Sequence, residues 1–321
     1  MNPVLKWILL AGACALAGPL AAQPYPSKPI RFVVSFAPGG PADIVARLIG
    51  PKMTEALGGQ PIVVENVAGG GGNIAAARVA KLPPDGYTVL VHTSAYAVNP
   101  TLLANPGFDA EKELIPVVVV ASQPNLILVH NDFPAKTLAE LLQRAKTDKL
   151  AFATAGAGTT PHLTGENLFK VRAKVDMTHI PFKGGGPATA AVLSGQPPVG
   201  VIAGSAPIPH VRAGKMRALA VSSARRVASL PDVPTLTELG YQGMEDYTWV
   251  GLFVPAGTPP EIVQRLNEVT RQAVQVPEVR ERLEAIAFEI TAQPLKETAA
   301  YVRSELAKWS RVVKETGAKA D

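Results

Sequence analysis

The stretch SFAPGGPADI (35–44) is a strand-to-helix junction that contains two glycines and two prolines. A run of β-branched and aromatic residues ends there, and a helical pattern of apolar residues follows. Proline suits the first position of a helix because its missing N–H would have had no partner there. Glycine allows positive φ angles and close approach of a ligand to the backbone. The same design recurs as ATAGAGTTPHL (153–163) and PFKGGGPATAA (181–191), and without the proline as VAGGGGNIAAA (67–77).

Such junctions can hold an anion. The first N–H groups of a helix lack partners within the helix, and the helix dipole places partial positive charge there. One junction alone is more simply a tight α/β turn, and an acid in the first turn, such as Asp43, is more simply a cap. Four junctions in one chain favour a binding site, because ligands of open α/β sheets lie at the carboxyl ends of the strands.

Strands and helices alternate along the chain, which predicts an α/β fold with mixed, mostly parallel sheets. Two breaks interrupt this order, at Gln123-Pro124 and at Glu245-Asp246-Tyr247. If both breaks are hinges at which the chain crosses over, the chain forms two lobes. The first lobe is then 23–124 plus 247–321, and the second lobe is 125–246. Apolar runs at 116–122 and 125–130 are predicted as separate strands on either side of the first break.

Composition limits the function classes. The chain has 321 residues, of which 47% are hydrophobic and 18% are charged, so it can form one large or two medium domains. Its net charge of +5 is unevenly distributed along the chain. Residues 125–246 carry thirteen basic and nine acidic residues, whereas 23–124 and 247–321 each carry equal numbers of basic and acidic residues. No basic run with interleaved aromatics occurs, which argues against nucleic acid as a partner. The excess indicates either a field that favours small anions or scattered solvated charges.

The first residues are typical of a secretory signal peptide. MNPVLKWILLAGACALAGPLAAQ (1–23) has Lys6, an apolar run and small residues up to Ala22, after which we expect cleavage and a secreted mature protein. Residues 15–17 offer a second site with small residues at both ends. The apolar run is too short for a bilayer span, which disfavours an uncleaved anchor. The single cysteine, Cys14, lies in this segment. Lipid attachment there is the less favoured alternative, because the leucine that usually stands three residues before a lipid-modified cysteine is missing.

Catalytic and metal-binding patterns are missing from the sequence. The five histidines have no metal-ligand spacing, and the mature chain has no cysteine to act as ligand or nucleophile. GAGTTP has Pro161 where a dinucleotide fingerprint needs its third glycine, and neither GxxxxGK[ST] nor GxSxG occurs. We therefore predict a binding protein that is not an enzyme and uses no cofactor or metal. The alternatives are a secreted enzyme on the same scaffold and a ligand-sensing partner of a membrane kinase.

From Pro29 to the C-terminus the chain resembles the Bug family, the periplasmic solute receptors of tripartite tricarboxylate transporters. Each shared segment alone is weak evidence for the family, but all of them in this order make the resemblance specific. The segments are PIRFVVSFAPGGPADIVAR (29–47), PIVVENVAGGGGNIAAARVA (61–80), PDGYTVLV (84–91), AGAGTTPHLTGE (155–166), HIPFKGGGPA (179–188), PHVRAGKMRALAVSS (209–223), LPDVPTLTELG (230–240) and VGLFVPAGTPPEIVQRLN (250–267).

The resemblance implies a two-lobed periplasmic binding protein, a type II-like clamshell. Such a receptor closes on a small carboxylate and delivers it to a permease with two integral membrane subunits. We expect the receptor to be a monomer. The resemblance also implies that amides around Gly39 and hydroxyls after the third strand bind the carboxylate in the first lobe, and that two glycine loops bind it in the second. The candidate ligand-binding residues are Phe36, Pro38, Gly39, Gly40, Asp43, Thr93, Ser94, Tyr96, Gly156, Gly158, Thr159, Thr160, Lys183, Gly184 and Ser205.

Two departures from the family pattern concern the ligand. Family members often have threonine where Ala42 stands, and many have an acidic or amide residue where this chain has the mostly apolar segment 202–205. A less polar cleft would suit an aromatic or aliphatic acid better than an amino acid. The side chains that could line such a cleft are Phe36, Tyr96, Phe182 and Trp249.

Overall fold

The computed structural model describes residues 25–316, so the predicted signal peptide with Cys14 lies outside the described residues. The fold is α/β, as predicted, with a ten-stranded mixed sheet. The strands are Ile30–Val34 (β1), Ile62–Asn66 (β2), Thr88–Thr93 (β3), Leu114–His130 (β4), Leu150–Thr154 (β5), Met177–Pro181 (β6), Val199–Ala203 (β7), Met216–Val221 (β8), Tyr247–Pro255 (β9) and Glu289–Ile290 (β10).

Helices follow most of the strands. A 3₁₀ turn, Gly70–Gly72, precedes the second helix, and a π-helical segment, Asn167–Arg172, extends the fifth. The α-helices are Pro41–Ala56 (α1), Asn73–Ala80 (α2), Ala95–Leu102 (α3), Leu138–Arg144 (α4), Thr160–Glu166 (α5), Gly185–Leu193 (α6), Ile208–Arg212 (α7), Pro260–Gln275 (α8), Pro277–Glu284 (α9) and Leu295–Thr316 (α10).

Strand β4 runs through both parts of the sheet. Up to Pro124 it pairs antiparallel with β9, and from Asn125 it pairs with β7 and β8. The prediction of two strands at 116–122 and 125–130 is therefore wrong. Proline removes one donor from a sheet ladder, and β4 tolerates this loss because Pro124 stands where the strand changes partners.

The sheet is parallel in two regions and antiparallel between them. Strands β2, β1 and β3 are parallel neighbours, as are β6, β5 and β7. Strand β9 is antiparallel to β3 and β4, and β4 is also antiparallel to β7, β8 and β10. Antiparallel pairing is more extensive than the alternation of elements predicted, because β4 and β9 are long strands in the middle of the sheet.

Helix α1 packs on the sheet with a face slightly rotated from the predicted one. The pattern predicted that Ile44, Leu48, Ile49 and Met53 face the core. Ile49 and Met53 are buried, but Val45 is buried in place of Ile44, and Leu48 is only partly buried. Apolar residues cover much of this helix, so the sheet beneath it decides which of them are buried.

The sequence predicts a core-facing stripe along helix α10, in which Val302, Leu306, Trp309 and Val313 are spaced by four, three and four. Val302, Trp309 and Val313 are buried, and Leu306 packs against the same cluster. This confirms the predicted spacing of four, three and four. Among residues 25–316, no helix has both the length and the hydropathy of a membrane span.

Candidate ligand-binding site

Two helix N-termini meet across the middle of the molecule. Helix α1 begins after Gly40 and helix α6 after Gly184, and neither N-cap residue provides a side-chain hydrogen bond to its helix. A Cβ built on Gly40 would lie 3.1 Å from the Gly185 nitrogen. The preceding loops are also joined, because the Ala37 N–H donates to the Lys183 carbonyl at 2.9 Å. Glycine permits this backbone-to-backbone contact.

Helix α6 begins two residues before the predicted start. The sequence predicted Pro187 as its first residue, but Gly185 and Gly186 form the first turn. A Cβ built on Gly186 would overlap the Pro38 carbonyl oxygen and lie 3.3 Å from the Gly39 Cα. The glycines at this junction therefore allow close packing of the two loops.

Asp43 holds the first glycine loop. Its Oδ2 accepts a hydrogen bond from the Gly39 N–H at 3.0 Å, and its Oδ1 accepts from Arg47 Nε at 2.9 Å and Asn66 Nδ2 at 3.0 Å. The expectation of a free Gly39 amide is therefore wrong in this structure, and Asp43 acts as the cap. Burial alone would raise the pKa of Asp43, but the hydrogen bonds from Arg47, Gly39 and Asn66 together lower it below its usual value.

We expect Asp43→Asn to lower the free energy of unfolding by about 1–2 kcal/mol at pH 7, since it weakens hydrogen bonds to a charged acceptor. The folded-state pKa of Asp43 is lowered, so its stabilising effect is present above the unfolded pKa and lost as the pH falls through the folded pKa. Urea unfolding at pH 7 and near pH 4 should show a smaller difference at the lower pH. Asp176→Asn, at an exposed aspartate, is the control. An equal loss at both pH values would contradict this role.

The second glycine loop is also held by internal hydrogen bonds. The Gly156 N–H donates to Thr154 Oγ1 at 3.2 Å, and the Gly158 N–H donates to His162 Nδ1 at 3.3 Å. Thr159 donates to the Gly156 carbonyl from both its N–H and its hydroxyl. The amides of Gly156, Gly158 and Thr159 therefore have acceptors within the loop, unlike the unpartnered amides expected at such a junction, and ligand binding by this loop stays a prediction.

A stacked histidine pair supports this loop. The rings of His162 and His179 lie 4.0 Å apart with an interplanar angle of 21°. His179 Nε2 lies 2.7 Å from Thr154 Oγ1, the group that binds the Gly156 amide. Burial, with the neighbouring His162 and Lys170, lowers the pKa of His179 to about 3. The pair thus holds the loop with a neutral His179 at physiological pH.

A row of polar groups connects the two parts of the site. Ser94 Oγ lies 3.0 Å from Thr160 Oγ1, which lies 2.7 Å from Thr248 Oγ1. Thr248 Oγ1 in turn lies 2.8 Å from Asn125 Oδ1. Ser94 and Thr160 were predicted site residues on different lobes, and the structure brings them into contact. Thr248 and Asn125 were missed, because single polar residues within apolar strands give little signal in the sequence.

Three residues that were predicted to contact the ligand or line its cleft have other roles. Tyr96 is fully buried, stacks on Phe253 at 4.1 Å, and donates its hydroxyl to the Ala110 carbonyl at 2.6 Å, so it is a core residue. Ser205 is buried and bonded through both its amide and its hydroxyl to the Gln123 side chain. Trp249 is fully buried and donates to Glu305, so it does not line a cleft. Each was predicted from its place near a strand end, which does not determine the direction of a side chain.

The other predicted residues surround the junction. Phe36 is buried beside Gly184, and Gly40 and Gly184 cap the two helices. Pro38 and Lys183 are exposed, with their carbonyls directed to the opposite loop. Thr93 is buried one residue before the Ser94 cap of α3.

Two buried polar groups near these loops were missed. His92 Nδ1 accepts from the Thr93 N–H at 2.8 Å, and its Nε2 makes no hydrogen bond within the described residues. Burial lowers the pKa of His92 to about 4, although the Thr93 and Gly72 backbone partly offsets this. Asn99 donates to the Gly71 carbonyl at 3.0 Å, and its Oδ1 has no hydrogen-bond donor in the described part of the chain. That oxygen lies against Gly158, so Asn99 also spans the two sides of the site.

No group of three or more histidine, cysteine, aspartate or glutamate residues within 25–316 is arranged to hold a metal ion. The groups at the two helix starts and along the polar row are glycine backbone, hydroxyls and side-chain amides, together with the Asp43 carboxylate on the α1 side. This chemistry can bind an anion through hydrogen bonds and helix dipoles.

Comparison with known proteins agrees with this arrangement. Residues 45–318 match the model of the tripartite tricarboxylate transporter family receptor. Protein BugT of Bordetella pertussis is 34% identical over 316 residues, which are 97% of this chain and 96% of BugT.

Solved structures give the same result. MatC from Rhodopseudomonas palustris, with bound malate, has a TM-score of 0.84 and 35% identity, covering 90% of this chain and 100% of that one. R. palustris Rpa4515, with adipate, has a TM-score of 0.86 and 33% identity, covering 91% and 98%. The family predicted from the ordered motifs is confirmed. The chain belongs to the Bug family of periplasmic solute-binding receptors of tripartite tricarboxylate transporters.

Proposed function

We propose that this receptor binds a small organic carboxylate where the N-termini of α1 and α6 meet. The observation that carries the proposal is the contact of two helix starts through Gly40 and Gly185, without a capping side chain at either N-cap. Both helix ends carry partial positive charge, and the Asp43 carboxylate offsets it only on the α1 side, so a further anion beside the two ends is favourable. A carboxylate there would accept hydrogen bonds from first-turn amides of both helices.

The proposed site joins two lobes that close on the ligand. We assign 23–124 with 247–321 to one lobe and 125–246 to the other, as in the sequence-based prediction. Support comes from the sheet, in which β4 changes partners after Pro124, opposite Tyr247 of β9. A ligand that touches both lobes stabilises the closed state by its greater affinity for that state.

The wider role follows from the family. The mature protein, after removal of the signal peptide, would carry its ligand through the periplasm as a monomer to a permease with two integral subunits. The similar structures with bound malate and adipate support a dicarboxylate ligand. Of the four aromatic residues proposed to line the cleft, Phe36 and Phe182 remain near it, because Tyr96 and Trp249 belong to the core.

A thermal-shift screen tests the proposal. The purified mature protein is melted with citrate, malate, aspartate, adipate, nicotinate and terephthalate. A ligand at a hundred times its Kd should add about 2.7 kcal/mol of stability, enough to raise the Tm by several degrees. We expect aliphatic or aromatic acids to give the largest shift. Tightest binding of aspartate would contradict the less polar cleft, and no shift with any carboxylate would contradict the proposed function.

A further inference from the structure

Asp246 lies at the inner end of the polar row that begins at Ser94. It is 8% exposed, and its Oδ2 lies 2.8 Å from Thr164 Oγ1 and 3.2 Å from Asn125 Nδ2. Its Oδ1 accepts from the Tyr247 N–H at 2.8 Å. A series of contacts of 3.2 Å or less therefore runs from Asp246 through Asn125, Thr248 and Thr160 to Ser94.

Proton counting fixes the direction of this series when Asp246 is ionised. The Asn125 NH₂ group then faces the carboxylate, and its oxygen accepts the Thr248 proton. Since each hydroxyl has one proton, Thr160 must donate to Thr248, and Ser94 must donate to Thr160. Ser94, a fully buried residue at the start of α3, then has only lone pairs left for a ligand, and these repel a carboxylate.

The direction reverses when Asp246 is protonated. Asp246 can then donate to Thr164 Oγ1, and Thr164 can donate to an Asn125 amide turned by half a rotation. The turned NH₂ group donates to Thr248, Thr248 to Thr160, and Thr160 to Ser94. The amide oxygen and nitrogen exchange places without a change in shape. The Ser94 proton is now available to a ligand.

We propose that Asp246 is a positioning residue that acts on Ser94 through this series of hydrogen bonds, so that carboxylate binding at Ser94 is accompanied by protonation of Asp246. This inference rests on the proposed function, because it requires a carboxylate near Ser94. If the hydrogen bonds reversed while Asp246 stayed ionised, the turned Asn125 amide would place its oxygen against the Asp246 carboxylate, and the two would repel each other. Proton uptake and ligand binding are therefore coupled.

The surroundings of Asp246 favour this coupling near neutral pH. Burial raises the pKa of Asp246 to about 6, and Glu305 of α10 adds to the rise. Lys308 of α10, the Thr164 hydroxyl and the Tyr247 amide act in the opposite direction. Burial, then Glu305 and then Asp246 raise the pKa of Tyr301 of the same helix well above its usual value. A modest interaction at Ser94 can therefore shift the protonation of Asp246.

Calorimetric titration with malate and with adipate tests the inference. Titrations from about pH 5 to about pH 8, in buffers of different ionisation enthalpy, report both affinity and proton uptake. We expect affinity to fall above about pH 6 by up to tenfold per pH unit, with up to one proton taken up per ligand. The ligand's own carboxyl groups titrate at about pH 4 to 5, the second one higher because of the first charge, and they change affinity in the opposite direction.

Variants distinguish this series from a general pH effect. Asp246→Asn should remove the pH dependence and the proton uptake, and so should Thr248→Val, which interrupts the series but keeps Asp246 and Ser94. Asp176→Asn, at an exposed aspartate, should keep both. Unchanged proton uptake in both Asp246→Asn and Thr248→Val, or pH-independent binding by the wild type, would overturn the inference and leave the receptor function intact. Failure of every carboxylate to bind at any pH would instead overturn the proposed function.

Discussion

A Gly158→Ala variant is expected to bind its carboxylate on the order of 100-fold more weakly than the wild type, a loss of about 3 kcal/mol. A Cβ at this position would overlap Asn99 Oδ1 and lie 3.1 Å from Leu102 Cδ2. Asn99 and Leu102 belong to α3 in the proposed first lobe, and Gly158 to the second, so the overlap occurs only when the lobes close. Calorimetry measures the affinity, and small-angle X-ray scattering with and without ligand measures the closure.

The backbone of Gly158 requires a control. Its φ is +76°, where alanine is strained, so a loss of stability of roughly 1 kcal/mol is expected regardless of the lobes. Gly214 has a φ of +70°, and no atom lies within 4 Å of the position that its Cβ would occupy. Gly214→Ala should therefore show similar strain with normal binding.

A double mutant tests the contact itself. Asn99→Ala removes the amide that the Gly158→Ala methyl group would meet, so the double mutant should recover part of the lost affinity. Normal binding by Gly158→Ala, or additive losses in the double mutant, would contradict the assignment of Gly158 to a contact between lobes.

The ordered glycine junctions made the fold predictable and indicate where the proposed site lies. Proline and glycine at a helix start restrict the local backbone strongly. The pattern predicts helix starts at Ala42, Pro161 and Pro187, and α1, α5 and α6 begin within two residues of these positions. Strand β4 was not predicted as one element, because Pro124 normally ends a strand. The partner change that makes this proline acceptable is a property of the whole sheet.

Hydrogen-bond partners within the site were less predictable. The sequence places Gly39 at a helix start, but it does not show that Asp43 turns back to bind the Gly39 amide. Similarly, Tyr96 follows a strand end as a site residue would, yet its ring stacks on Phe253, more than a hundred residues away in the chain. Such contacts depend on tertiary packing, which local sequence patterns do not encode.

Gly186→Ala is expected to separate folding from binding. Gly186 lies in the first turn of α6 and has no positive φ, so alanine should keep or increase the stability of the ligand-free protein, by up to about 1 kcal/mol. The same methyl group would overlap the Pro38 carbonyl oxygen of the opposite loop. We therefore expect a ligand-free Tm equal to or above that of the wild type, together with at least a tenfold loss of affinity, about 1.4 kcal/mol.

The matched control is Gly50→Ala in α1. A Cβ there would lie 3.6 Å from Ile62 Cγ2, an ordinary contact within one lobe. This variant should gain stability in the same way and bind normally. Thermal unfolding and calorimetric titration of the two variants give the comparison. If Gly186→Ala binds as tightly as Gly50→Ala, close contact between Pro38 and α6 is not part of the ligand-bound state, and the site proposed at the two helix starts would be wrong.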